Sequence, residues 1–240
     1  MPKLPILMYH SVSANANESK GLTISAEKLE EQFMFLKEKG YKTLHFSDLQ
    51  AFKSAKDFPE KAVIITFDDV YVNQLEYAYP LLKKHGLKAC FYIPFKYVNG
   101  ADDWNDGTEA IMSIDQLQSL DAEIIELGLH SFAHSRYNEM SKEDIQNDFD
   151  KCKIFIVENK LNVHNTLAYP YGKYPRKGEE QSTFFKILSK NKIAYGLRIG
   201  NRVNVFPFKN NYEIQRLDIK GEDALMTFKK KLKRGKSWLF

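Results

Sequence analysis

The chain has only two cysteines, Cys90 and Cys152, among its 240 residues. A disulfide framework of the kind that holds small secreted domains together is therefore excluded. Cys90 lies in the apolar run Ala89-Cys90-Phe91-Tyr92-Ile93, and a buried core thiol in a reducing compartment is the expectation. No apolar run approaches the roughly 18 residues that a membrane-spanning helix needs. Residues 1–10 hold an apolar stretch too short for a signal-peptide core and no small-residue cleavage site, which predicts a cytoplasmic protein. Linkers rich in Gly, Ser or Pro are missing, as are internal repeats. One domain is expected over residues 1–240, long enough to bury a large core.

Most of the chain also lacks an excess of charge. The formal net charge is +4, but Lys229, Lys230, Lys231, Lys233, Arg234 and Lys236 form a run with no acidic residue, and without those six the body carries −2. A mildly acidic body argues against a nucleic-acid surface spread over the domain. The basic character belongs to a C-terminal tail, residues 228–240, which ends Trp238-Leu239-Phe240. Basic residues followed by large apolar ones suit the face of an anionic membrane. The plainer alternative is a helix end whose Lys and Arg complement the helix dipole, with Trp238 folded back on the domain.

What is present is a repeated alternation of short apolar runs and amphipathic helical patterns. Residues 6–9 read as a buried strand. Ser25 caps a helix whose apolar face carries Leu29, Phe33 and Leu36 and which stops at Gly40. Residues 41–46 read as a strand and Ser47 as the start of a short helix. The continuous run 62–67 suits a strand buried on both faces. A helix to His85, a strand over 88–93 and a long connection over 94–107 follow. Ser113 and Gln116 form a capping-box pattern for a helix expected to run to about Leu127. Strands over 127–129, 166–169, 192–197 and 212–217 alternate with helices over 141–160 and 180–190, and a last helix starts near Glu222. Helical crossovers between strands mean a parallel sheet. About seven strands in one chain of this length favour an α/β fold closed as a distorted, TIM-like (β/α) barrel in a single domain.

In such folds chemistry collects at the C-terminal ends of the strands. Four of those ends carry suggestive residues: His10, the pair Asp68 and Asp69, the pair His130 and His134, and the turn Pro170-Tyr171-Gly172. Singly, each has a bland reading as a loop turn, a helix cap or a satisfied core histidine. Together at one sheet edge, two imidazoles and a carboxylate make the three-ligand set of a hydrolytic metal site with a position open for water. The second carboxylate is then free to act as general base. Tyr71 and Trp104 are aromatics that either stack on a sugar ring or pack a loop.

Thr66-Phe67-Asp68-Asp69, His130-Ser131-Phe132-Ala133-His134 and Tyr169-Pro170-Tyr171-Gly172 resemble, in order, three motifs of the polysaccharide deacetylases, carbohydrate esterase family 4 with its NodB-homology domain. The opening Met8-Tyr9-His10-Ser11-Val12 resembles the branch that deacetylates poly-N-acetylglucosamine. The resemblance spans most of the chain, from about Leu4 to Leu217. It implies a distorted (β/α) barrel and metal-assisted removal of an acetyl group from a sugar. Asp69, His130 and His134 would bind a divalent metal, usually zinc in the family. Asp68 would be the base, His10 the acid that protonates the leaving amine, and the Tyr171 backbone N–H a donor to the oxyanion. Tyr71, Trp104 and Pro170 would line the sugar site. For a cytoplasmic member, the substrate implied is an N-acetylated sugar or glycan precursor.

The chain departs from the family's pattern in three places. Val70 stands where Gly usually follows the paired Asp, Ala168 stands where an Arg commonly holds the base, and the fourth motif has no clear match. Arg216, at the end of the last expected strand, is the candidate to supply a charge near the site. The departures keep two alternatives open: a carbohydrate-binding protein on a decayed scaffold, or an amidase or deformylase acting on a related, lipid-linked sugar.

Overall fold

Apolar runs that alternate inward and outward side chains become the staves of a barrel. The computed structural model describes residues 1–52, 54 and 56–235. The strands of its main sheet are β1 (Ile6–Tyr9), β2 (Lys42–Thr43), β3 (Ala62–Asp68), β4 (Ala89–Ile93), β5 (Ile125–Leu129), β6 (Val163–Ala168), β7 (Tyr195–Ile199) and β8 (Ile214–Asp218). Seven of them close a parallel ring in the order β1-β8-β7-β6-β5-β4-β3, and β3 pairs back with β1. The two-residue β2 adds to β3 outside that ring, from Lys42 opposite Ala62 to Thr43 opposite Val63. The chain is thus a single-domain distorted (β/α) barrel.

Because side chains alternate along a strand, the core divides in two. Leu7, Tyr9, Val63, Ile65, Phe67, Phe91, Ile93, Leu127 and Leu217 face outward and meet the helices. Ile6, Ile64, Cys90, Tyr92, Ala168, Leu197 and Ile214 fill the lumen. Gly128 is what lets the Tyr92 ring into that lumen, since a Cβ at Gly128 would lie 2.5 Å from Tyr92 Cε1. Cys90 and Cys152 are both buried free thiols.

The covering helices are α1 (Ala26–Glu38), α2 (Tyr79–His85), α3 (Ile114–Gln118), α4 (Lys142–Glu158), α5 (Gly178–Lys190) and α6 (Leu225–Arg234). Ser25 caps α1, and Leu29, Phe33 and Leu36 are its buried face. The Ser113–Gln116 capping box forms, but α3 stops at Gln118 and does not run to Leu127. The N–H groups of Ile124 and Ile125 turn back onto the Asp121 carbonyl, and the sheet takes the apolar residues that follow. The expected strand over 41–46 shrinks to β2, because the His45 N–H turns to the Asp48 carboxylate and the Phe46 and Ser47 N–H groups to Glu126. Among the described residues no helix is long and apolar enough to cross a membrane.

The basic segment is a packed helix and not a free tail as far as it is described. Phe228 and Leu232 of α6 are buried, and so is Lys231, which pairs with Asp223 and donates to the Asp218 carbonyl at 2.7 Å. The expected Trp238-Leu239-Phe240 end lies outside the described residues.

Candidate active site

The alternation that fills the lumen also builds the site, because each inward position at a strand's C-terminal end continues a lumen column. Ile64 and Thr66 lead to Asp68, Ile214 leads to Arg216, Ile6 and Met8 lead to His10, and Gly128 leads to His130. The upper layer of the barrel therefore gathers the charged and imidazole groups, above a lumen filled mainly by apolar side chains. A cavity of about 550 Å³ opens there, lined by His10, Asp68, Asp69, Tyr71, Trp104, His130, His134, Tyr171, Arg216 and Asp218 among others. That volume is within the range of small-molecule sites, roughly 300–1,000 Å³.

Asp69, His130 and His134 each offer one donor atom, and these atoms all lie within 4.8 Å of one another. Asp69 Oδ1 is 3.5 Å from His130 Nε2 and 3.4 Å from His134 Nε2. It is buried without a hydrogen-bond partner, the condition of a ligand atom awaiting a cation. His130 Nδ1 lies 2.8 Å from the Ala168 carbonyl. That acceptor requires the proton on Nδ1 and leaves the Nε2 lone pair for a metal. Burial pushes the His130 pKa down to about 4, against the pull of Asp68, so the ring is neutral at physiological pH. Burial alone would raise the Asp69 carboxyl, but the close His134 and His130 imidazoles outweigh it and hold the group below the usual range. An anionic carboxylate and a neutral imidazole are the forms a divalent metal needs. The donor set fits the group that the sequence implied.

Asp68 has a different partner. Arg216 Nη1 donates to Asp68 Oδ1 at 2.6 Å and Nη2 to Oδ2 at 2.7 Å, with both side chains almost fully buried. Burial pushes the carboxyl up, and the guanidinium more than reverses it, so Asp68 stays ionised far into acid. The Oδ2 atom also faces His10 Nε2 at 3.7 Å and His130 Nε2 at 3.8 Å. Gln74, buried at the base of the site, donates to the His10 and Asp68 carbonyls at 2.9 and 2.6 Å and ties the two strand ends together.

Backbone strain is concentrated here. Asp69, Val70, Ser131, His134 and Tyr171 all have positive φ although none is glycine. Such conformations cost of order 1–3 kcal/mol each and persist where the surroundings over-determine them. Val70, at φ 48°, is fully buried and its carbonyl accepts from Met112 N–H at 2.9 Å. The left-handed position that glycine fills in the family's pattern thus exists here, with a valine held in it by packing.

The remaining expected residues fall in unequal places. Tyr171, at φ 57° and ψ 10°, lines the cavity and is half exposed, with the Arg136 guanidinium 4.4 Å from its ring centroid. Trp104 is a wall of the cavity and stacks on His134, centroids 4.4 Å apart and 29° between planes, so one of its faces is already covered. Tyr71 is largely buried, and burial with the nearby Asp69 charge pushes its phenol far above the usual range. It is a neighbour of Asp69 more than an open sugar platform. Pro170 is not in the lining: it is buried in the turn that carries Tyr171.

Asp148 was not among the expected residues. From the buried face of α4 it accepts from Ser131 Oγ at 3.1 Å and Phe132 N–H at 2.8 Å through one oxygen, and from the Tyr137 hydroxyl at 2.8 Å through the other. It fixes the loop between the two histidines. A signal existed: an acidic residue in the apolar stripe of Ile145, Phe149 and Cys152 is out of pattern.

Comparison with known proteins accords with this arrangement. The family profile described as polysaccharide deacetylase matches residues 55–187, more than half of the chain. The chain is 30% identical over 175 residues to the Bacillus subtilis (strain 168) polysaccharide deacetylase YxkH, covering 72% of this chain and 58% of that one. It therefore spans little more than half the length of that relative. It is 26% identical over 225 residues to the poly-beta-1,6-N-acetyl-D-glucosamine N-deacetylase of Staphylococcus aureus (strain MRSA252), covering 88% of this chain and 72% of that one. Among solved structures, Streptococcus pyogenes deacetylase PplD in complex with acetate shares the fold, with a TM-score of 0.81, 20% identity and coverage of 97% and 99% of the two chains. Matched over the segment that carries Asp68, Asp69, His130, His134 and Tyr171, the chain belongs to the polysaccharide deacetylase family.

Proposed function

We propose that this chain is a metal-dependent N-deacetylase of an amino sugar within a glycan, with β-linked N-acetylglucosamine as the first substrate to try. The observation that carries the reading is the meeting of two kinds of carboxylate in one cavity. Asp69 sits with His130 and His134 as a ligand set, and Asp68, one residue away, is held by Arg216 instead. The name of the Staphylococcus aureus relative supports the choice of sugar.

A divalent metal on Asp69, His130 and His134, for which two imidazoles and a carboxylate favour zinc, supplies a Lewis acid that polarises the acyl carbonyl and acidifies water. Asp68 accepts a proton from the attacking water. Its ionised form is guaranteed by Arg216, whose two hydrogen bonds also prevent the carboxylate from rotating into the ligand set. The Tyr171 backbone N–H, on its strained turn, donates to the oxyanion as it develops, an interaction worth a few kcal/mol in the transition state. His10 delivers a proton to the departing amine, without which the C–N bond does not break. Trp104, stacked on His134, closes one wall against water and holds that ligand's ring in plane.

One ground for a decayed, binding-only scaffold was the missing Arg at position 168. Arg216 answers that ground from another strand. The test is acetate release from N-acetylglucosamine oligomers by metal-loaded protein, measured beside metal content. Loaded protein that binds the oligomers and releases no acetate, and no formate from N-formyl analogues, overturns the hydrolase reading.

A further inference from the structure

The cations of α6 are sorted between two roles, and only one role is internal to the fold. Lys231 points inward, paired with Asp223 and bonded to the Asp218 carbonyl. Lys230, Lys233 and Arg234 are exposed and Lys229 is half-buried, its ammonium 4.7 Å from the centroid of Phe35 on α1. The end of α6 is seated on the connection after β7: a Cβ at Gly235 would lie 2.4 Å from the Asn201 carbonyl oxygen and 3.0 Å from Arg202 Cα. That contact brings a fifth cation, the exposed Arg202, to the same end of the helix. None of the five makes an ion pair among the described residues, whereas Lys220 and Lys231 nearby are both paired.

Complementing the helix dipole accounts for cations in the last turn only. It does not account for Lys229 and Lys230 further back, nor for Arg202 on a separate connection. Exposed apolar groups lie on the same helix and on its neighbour α1. Met226, one turn before Lys230, is 61% exposed, and Met34 on α1, next to the Phe35 that packs on Phe228, is 44% exposed. Unpaired cations flanking exposed methionines on a body that is otherwise slightly acidic match an anionic lipid surface, which takes charge at its headgroups and apolar side chains just beneath. A nucleic acid asks for the charge without the methionines.

We infer that the outer face of α6, with Arg202, docks on an anionic phospholipid surface. The docking face and the cavity share a strand end. Asn201 accepts from Asp218 N–H and donates to the Arg216 carbonyl, and Lys231 anchors α6 to the Asp218 carbonyl. Arg216 and Asp218 line the cavity. Docking on this face holds the strand end that carries Arg216 and Asp218 close to the lipid surface, where a lipid-linked saccharide is met. The surface itself does not depend on the deacetylase reading, and lipid binding is measured without catalysis.

The test is co-sedimentation of the full chain with vesicles of phosphatidylcholine alone and of phosphatidylcholine with phosphatidylglycerol, at low and high salt. Binding is expected only to the anionic vesicles and is expected to fall as salt screens it. K230A/K233A/R234A removes three exposed cations and is expected to weaken partitioning about a hundredfold, at roughly fivefold per cation. K230R/K233R keeps the charge and is expected to bind like the parent, and thermal melts show whether each variant is folded. Equal binding by the folded triple alanine variant, equal binding to neutral vesicles, or tighter capture by duplex DNA than by anionic vesicles at the same salt overturns the inference.

Discussion

Arg216 on β8 grips Asp68 on β3 through two hydrogen bonds of 2.6 and 2.7 Å, across a separation of 148 residues in the chain. The guanidinium takes one edge of the carboxylate and leaves the lone pair near His10 and His130 for chemistry. A buried pair of this kind is costly to break from one side, because the surviving charge is stranded.

Arg216→Met is accordingly expected to destabilise the fold by about 3–5 kcal/mol at neutral pH. The loss has a defined pH dependence. Asp68 has a folded pKa pushed below its unfolded value of about 3.9, so the pair's contribution is complete above that value and is lost as pH falls through the lower, folded one. The gap in unfolding free energy between parent and variant is expected to narrow below about pH 4. Urea titrations at pH 7, 5 and 3 measure it, and a gap that does not change with pH would show that the pair is not what the variant removed. Arg216→Lys retains charge without the fork and is expected to fall between the two in stability.

Two neighbouring aspartates are expected to fail differently. Asp69→Ala and His134→Ala remove ligands and should lose bound metal, read by metal analysis after dialysis. Asp68→Asn should keep the metal and lose turnover by about 10²–10⁴, the usual scale of a general base. Full activity in Asp68→Asn would sink the assignment of Asp68 as base.

Asp148→Ala tests positioning without touching a ligand. Ser131 Oγ, Phe132 N–H and the Tyr137 hydroxyl lose their common acceptor. Metal affinity is expected to fall about 10–100-fold, as when groups supporting a metal ligand are removed. Competitive titration against a chelator with a zinc indicator reads this directly; an unchanged dissociation constant means that the histidine loop holds its shape by other contacts.

Trp104→Ala separates wall from platform. Loss of the stacked pair with His134, worth about 0.5–1.5 kcal/mol, predicts metal affinity weakened by roughly 2–10-fold. If Trp104 also touches the sugar through its other edge, KM for an oligomer rises while KM for a monomer changes less. A change confined to metal affinity marks Trp104 as support for His134 alone.

Much of the fold was legible before any tertiary contact was known. Periodicity and caps located most of the elements, since Ser25, Gly40 and Gly86 act through hydrogen bonds and dihedral preferences within a few residues. Misplaced boundaries share a cause. The capping box at Ser113 starts a helix, but where that helix stops and the strand ending at Leu129 begins depends on β4 lying alongside residues 125–129.

The site divides along the same line. His10, Asp68, Asp69, His130 and His134 stand at strand ends, and their residue types and local spacing already marked a candidate ligand set. Val70 marked a glycine position by its exception, although only the backbone reveals that φ there is 48°. The chain alone determined which strands end in candidate chemical groups. Tertiary structure decided which of those ends meet. Closing seven parallel strands set Arg216 against Asp68, put Asp148 under the histidine loop, hid Pro170 and turned Lys231 inward. Each of those outcomes depends on which residues become neighbours when the ring closes, and spacing along a chain carries no measure of that.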